Sequence, residues 1–179
     1  MRSRTVLVFG EINAALAERT NGHLFALAGV SDEPITMVIC SPGGHVESGD
    51  AIHDVVRFIA PEVRVVGTGW VASAAALVYV AVPRARRFAT PNTRFLLHQP
   101  LGGYQGSASD IEIEAEQILA VHRRLNALFA AATGQSVERI ARDTERNHWL
   151  TAAMAVDYGL VGAIAERGGE IFASPHSRR

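Results

Sequence analysis

Three short apolar runs rich in β-branched residues, each bounded by turn or helix signals, constrain this chain more than any other feature. They are residues 5–9, closed by Gly10, residues 35–40, which run into Ser41-Pro42-Gly43-Gly44, and residues 63–67. Runs of this length and character read as strands buried on both faces. Between the first two, Asn13 offers an N-cap for a helix over residues 14–28, with Leu16, Leu24 and Leu27 on one face and Gly29 as the stop. After the second, residues 48–59 read as a helix ended by Pro61. Repeated β-α units of this kind predict an α/β fold with a largely parallel sheet covered by helices.

The rest of the chain continues the pattern. Residues 73–82 are alanine-rich and read as a short buried helix, with strands near 87–89 and 94–98. Residues 100–106, with three glycines and a proline, read as a loop. Ser109 and Glu112 form a capping box for a long helix. Its stripe of Ile111, Ala115, Ile118, Leu119, His122, Leu125 and Phe129 runs until Gly134. A helix of about 24 residues is roughly 36 Å long, which means it projects from the body or packs on a neighbour. Ser136 caps a helix to about residue 144, Thr151 caps another to Tyr158, and residues 161–164 read as a last strand. The 179 residues suit one core, so residues 1–168 are expected to form one domain, with the long helix at about 109–133 and a disordered tail at 169–179.

Charge narrows the function. The 17 basic and 18 acidic residues are interspersed and sum to −1, which gives no electrostatic case for nucleic acid or a membrane surface. The apolar run behind Met1-Arg2-Ser3-Arg4 is too short for a signal peptide core or a span, so a cytoplasmic enzyme is the default. The single Cys40 sits in an apolar run and reads as a small buried hydrophobe. The seven histidines show no metal-ligand spacing, and no metal or cofactor is expected.

Two segments can aim backbone N–H groups at a developing negative charge. In Ser41-Pro42-Gly43-Gly44 two glycines permit backbone conformations and close approach that side chains block. In Gly69-Trp70-Val71-Ala72-Ser73-Ala74-Ala75 a serine begins a helix directly after a strand, where free N–H groups favour an oxyanion. By itself Ser73 reads as an N-cap and Gly43-Gly44 as a turn. His98 lifts both, because it ends an apolar strand and opens a glycine-rich loop, and histidine is the usual base for activating a serine near neutral pH. A hydrogen-bonded strand-end histidine remains the other reading of that residue.

From Thr5 to about Ile164 the sequence resembles the proteolytic subunit of the ATP-dependent Clp protease, a serine peptidase of crotonase-like fold. The matching blocks are Ser41 to Gly44, Gly69 to Ala75, Pro91-Asn92, His98-Gln99-Pro100, Gly102 to Gly106, Thr133 to Ser136 and Asp143 to Arg146. The resemblance implies Ser73 as nucleophile, His98 as base, and the N–H groups of Gly44 and Ala74 as oxyanion hole. It makes the long helix a handle between two stacked seven-membered rings of identical subunits, and the substrate an unfolded polypeptide or short peptide. It also implies a Clp-type ATPase partner, against which counts a chain that starts almost at its first strand.

One position departs from the pattern. Where the family has the aspartate that orients the histidine, this chain has Asn147. An asparagine oxygen can accept from the imidazole but cannot stabilise the imidazolium as a carboxylate does. Weakened intrinsic activity is therefore expected. Asp143 and Glu145 are nearby acids at non-matching positions, and His45 stands where an apolar residue is common and reads as exposed. Two competing readings remain open: a poorly active scaffold subunit beside a competent paralogue, and a crotonase-like enzyme acting on acyl-CoA thioesters.

Overall fold

The computed structural model describes residues 3–99 and 105–172. The strands are β1 Thr5–Phe9, β2 Ile35–Ser41, β3 Val63–Ala72, β4 Arg87–Ala89, β5 Arg94–Leu97, β6 His148–Thr151 and β7 Ala163–Ile164. The helices are α1 Ala14–Ala28, α2 Val46–Phe58, α3 Ala74–Tyr79, α4 Ala108–Thr133, α5 Val137–Thr144, α6 Ala152–Asp157 and α7 Gly169–Phe172. The sheet runs β1-β2-β3-β4-β7 with every neighbour parallel, as the buried β-branched runs require. Its interior face carries Val8, Ile35, Met37, Ile39 and Val65, all fully buried.

β3 is twice the length expected from the sequence, and the extra half positions the site. Its first part pairs with β4 through Val65, Val66 and Gly67, and its second pairs with β5 through Trp70, Val71 and Ala72. The ladder with β2 shifts register between Ile39 and Ser41, so β3 bends away and delivers Ser73 to a separate edge. There β5 accepts β6 as the one antiparallel neighbour among the described strands. β6, a four-residue segment with a polar start, escapes the sequence reading because nothing in its pattern distinguishes it from loop.

Other boundaries shift for local reasons. α2 begins at Val46 rather than residue 48, with His45 in extended conformation as its N-cap. α4 begins at Ala108, because Ser107 rather than Ser109 caps it: the Ser107 hydroxyl oxygen accepts the Asp110 N–H at 3.2 Å. The Ser109–Glu112 capping box is therefore not formed. Residues 169–172, expected to be disordered, form α7, with the Ile171 carbonyl accepting from Arg64 Nη1 at 2.9 Å. The tail beyond Phe172 and most of the expected loop, residues 100–104, lie outside the described residues.

α4 has 26 residues, about 39 Å at 1.5 Å per residue. Only its C-terminal end is anchored, through buried Leu125, Phe129, Ala130 and Thr133. Ile111, Ile113 and Leu119 stand exposed along the rest. The helix thus projects, as its length implies, and its free part carries apolar residues that the described residues leave exposed.

Arg87 locks these helices together. Its guanidinium is buried and donates to three backbone carbonyls: Val82 after α3 at 2.7 Å, Ala132 in α4 at 2.8 Å and Leu160 after α6 at 3.3 Å. Burial pulls its pKa down to about 10, so it remains charged at neutral pH.

Candidate active site

Ser73 is the one described non-glycine residue with positive φ, at φ 56 and ψ −123. This sparsely populated conformation costs of order 1–3 kcal/mol and is held only where the surroundings over-determine it. They do so here. The Ser73 N–H donates to the Leu96 carbonyl in β5 at 2.9 Å, and its own carbonyl accepts from Ala76 at 2.9 Å to open α3. The side chain makes no cap hydrogen bond, so the N-cap reading does not describe this serine. Ser73 is part of the lining of a cleft, together with Val46, Ala74, Leu77, His98, Leu125 and Phe129.

The glycine turn packs against the back of that serine. Ser41, fully buried, accepts the Gly43 N–H on its hydroxyl at 3.0 Å. The Gly43 carbonyl accepts from Ile12 at 2.8 Å and the His45 N–H donates back to Ile12 at 2.8 Å. Since the peptide between Gly43 and Gly44 is trans and planar, the Gly44 N–H points away from Ile12. Gly43 has φ 89, and a Cβ there would lie 2.7 Å from Ser73 Cβ and 3.0 Å from Ala74 N. The two turns therefore abut. Among the described residues, neither the Gly44 nor the Ala74 N–H donates to another group, so both are available as donors.

Strand register explains how His98 meets Asn147. In the antiparallel ladder of β5 and β6, Leu97 pairs with His148. One step further, His98 and Asn147 stand opposite each other on the same face. A second contact brackets the pair, because Gln99 N–H donates to the Thr144 carbonyl at 3.0 Å. The Asn147 side chain lies close enough to the His98 imidazole to favour its protonated form. Burial lowers the His98 pKa below its ordinary 6.5, and the neighbouring Asn147 side chain offsets part of that drop. The imidazole is thus neutral at pH 7 and able to take a proton.

Ser73 and His98 line the same cleft, but among the described residues no hydrogen bond joins hydroxyl to imidazole. Such bonds are often long before substrate binds. Of the nearby acids, Asp143 accepts from Tyr158 Oη at 2.8 Å, and Glu145 is exposed. His45 is exposed as expected, with Nδ1 2.9 Å from Ser48 Oγ and Nε2 3.0 Å from Glu47 Oε2. Cys40 is half-buried rather than buried. The described residues contain no cluster of His, Cys, Asp or Glu able to hold a metal, and no described helix is long and apolar enough to cross a membrane.

A strained serine at a strand-to-helix turn, beside a histidine and two free amides, defines the machinery class of serine-type hydrolases. The comparisons with known proteins specify which. A family model described as Clp protease matches residues 1–168. The ATP-dependent Clp protease proteolytic subunit 3 of Rhizobium etli is 56% identical over 95% of this chain and 88% of its own length. Proteolytic subunit 2 of Pseudomonas aeruginosa is 51% identical over 96% of this chain and 85% of its own length. Among solved structures, an asparagine-to-aspartate mutant of ClpP1 from Listeria monocytogenes superposes with a TM-score of 0.89 at 50% identity, covering 94% of each chain. The unmutated Listeria ClpP1 gives 0.86 at 49% identity. The chain belongs to the Clp protease family and is a serine-type peptidase subunit with the ClpP fold.

Proposed function

We propose that the chain cleaves peptide bonds through an acyl-enzyme on Ser73. The conformation of Ser73, held at positive φ in the wall of a cleft that His98 also lines, carries this reading. Ser73 Oγ attacks the scissile carbonyl carbon while His98 takes its proton. The Gly44 and Ala74 N–H groups donate to the oxyanion, and the tetrahedral intermediate expels the amine as His98 returns the proton. Water then attacks the ester with His98 again as base, releasing the acid and restoring Ser73.

Asn147 orients the imidazole without charge, so the proposed activity is weak. The apolar lining of the cleft by Val46, Leu77, Leu125 and Phe129 suits an apolar side chain beside the cleaved bond. The substrate class is unfolded polypeptide or short peptide, acting in the cytoplasm. The exposed apolar residues along α4 support assembly into stacked rings through that helix; a Clp-type ATPase partner belongs to the same proposal through the names of the relatives. The uncharged Asn147 also favours a second reading, in which this chain is a poorly active ring member beside a competent paralogue.

Hydrolysis of a short fluorogenic peptide tests the first reading. Turnover that disappears in Ser73→Ala supports it. Equal turnover by Ser73→Ala and wild type contradicts it.

A further inference from the structure

Tyr158 touches both ends of the segment that carries Asn147. Its hydroxyl donates to Asp143 Oδ2 at 2.8 Å in the last turn of α5. Its ring packs against the His148 imidazole at the start of β6, with centroids 5.5 Å apart and planes tilted by 47°. Between these two contacts lie Thr144, which is buried, and Glu145, Arg146 and Asn147, which are exposed. The bend that presents Asn147 is thus held from behind, by one side chain spanning it.

Tyr158 is itself firmly set. It is 5% exposed, and its carbonyl accepts from Gln135 Nε2 at 2.9 Å. The Arg139 guanidinium lies 5.2 Å over its ring and approaches Asp143 Oδ2 at 3.5 Å, while donating to Gln135 Oε1 at 2.9 Å. Gln135, Arg139, Asp143 and Tyr158 therefore close a polar ring behind the bend. Burial, and then the Asp143 hydrogen bond, push the phenol well above its ordinary value, so it stays a donor throughout the pH range of the reaction.

On the other side of the bend are the contacts that define the site. Thr144 O receives Gln99 N–H, and His148 pairs with Leu97, so the two residues flanking His98 are tied to the two ends of the same segment. A displacement of Asp143 or His148 shifts Asn147 relative to the imidazole. Because an asparagine offers direction and no charge, its value depends on the angle and distance at which its oxygen meets the ring N–H.

We propose that Tyr158 is a positioning residue for the reaction, clamping the bend between Asp143 and His148 so that the Asn147 amide oxygen is presented to His98. The inference rests on the assignment of Ser73, His98 and Asn147 given above. Nothing in the sequence singles out Tyr158, which closes a helix like any other amphipathic residue.

Tyr158→Phe keeps the ring and removes only the hydroxyl. On a short fluorogenic peptide the expected result is a kcat about tenfold lower at unchanged KM, the size of a lost orienting hydrogen bond. The acid limb of the kcat profile moves to lower pH, because His98 loses part of the contact that raises its pKa. The rate of Ser73 labelling by a fluorophosphonate falls in parallel. Asp143→Ala behaves like Tyr158→Phe and stands in for it should that variant fold poorly. Asp143→Asn, which still accepts from the phenol, retains most of kcat. In an Asn147→Ala background, Tyr158→Phe costs nothing further. An unchanged kcat in Tyr158→Phe, or an equal loss in the presence and absence of Asn147, overturns the inference. If Asn147→Ala itself leaves kcat intact, the assignment of Asn147 is what has failed, and the inference falls with it.

Discussion

His98 and Asn147 stand opposite each other one step beyond Leu97 and His148, the last pair of an antiparallel ladder. The proposed base and its proposed orienting partner are therefore placed by sheet register, which leaves little freedom for either to drift. What the arrangement lacks is charge. Burial works against a protonated His98, and the Asn147 side chain counters that effect only in part.

The pH dependence follows from that balance. A base must be neutral to act, and His98 is held below 6.5. Activity of the wild-type chain is expected to rise with pH through a single limb lying below 6.5 and to be flat across neutrality. A kcat/KM profile on a short peptide checks this for the free enzyme.

Asn147→Asp places a carboxylate where only a dipole stands. In serine proteases the reverse exchange lowers kcat by about 10⁴-fold, so a gain of orders of magnitude is expected if the remaining machinery is intact. The opposite charge also raises the His98 pKa, and the acid limb moves upward. Steady-state kinetics of the two proteins side by side measure both effects.

Gly43→Ala tests the abutting turns. A Cβ at position 43 meets the Ala72 carbonyl at 2.5 Å and Ser73 Cβ at 2.7 Å, on a backbone with φ 89. The expected cost is about 2–4 kcal/mol of stability, with peptidase activity lost even in the fraction that folds. Thermal melts combined with fluorophosphonate labelling separate the two effects.

Arg87→Leu removes a buried cation that serves three backbone carbonyls at the ends of three helices. Leaving those acceptors without a donor is expected to cost about 3 kcal/mol or more. Denaturant unfolding should show a lower midpoint, with the site intact in the surviving native protein.

Much of the fold was legible because buried parallel strands announce themselves. The run at 35–40 and the helix at 14–28 appear in the structure within a residue of where the pattern places them. Ser73 and His98 were legible as candidates because each sits where a strand gives way to something else. Three features were not. The continuation of β3 through Gly69 looks like a loop, because glycine carries no strand signal. The start of α4 depends on which of two serines caps it, a choice that spacing alone does not decide. The clamp by Tyr158 joins residues 15 apart in sequence through side chains, and local patterning carries no trace of it.

The proposed peptidase activity requires the hydroxyl at position 73 to act as a nucleophile. Incubation with a fluorophosphonate, followed by mass mapping of the modified peptide, asks this directly. The expected result is a single phosphonyl adduct on Ser73, formed slowly in the wild type and much faster in Asn147→Asp, and absent from Ser73→Ala and His98→Ala. Persistent lack of an adduct in Asn147→Asp, or an adduct that forms equally well without His98, contradicts it.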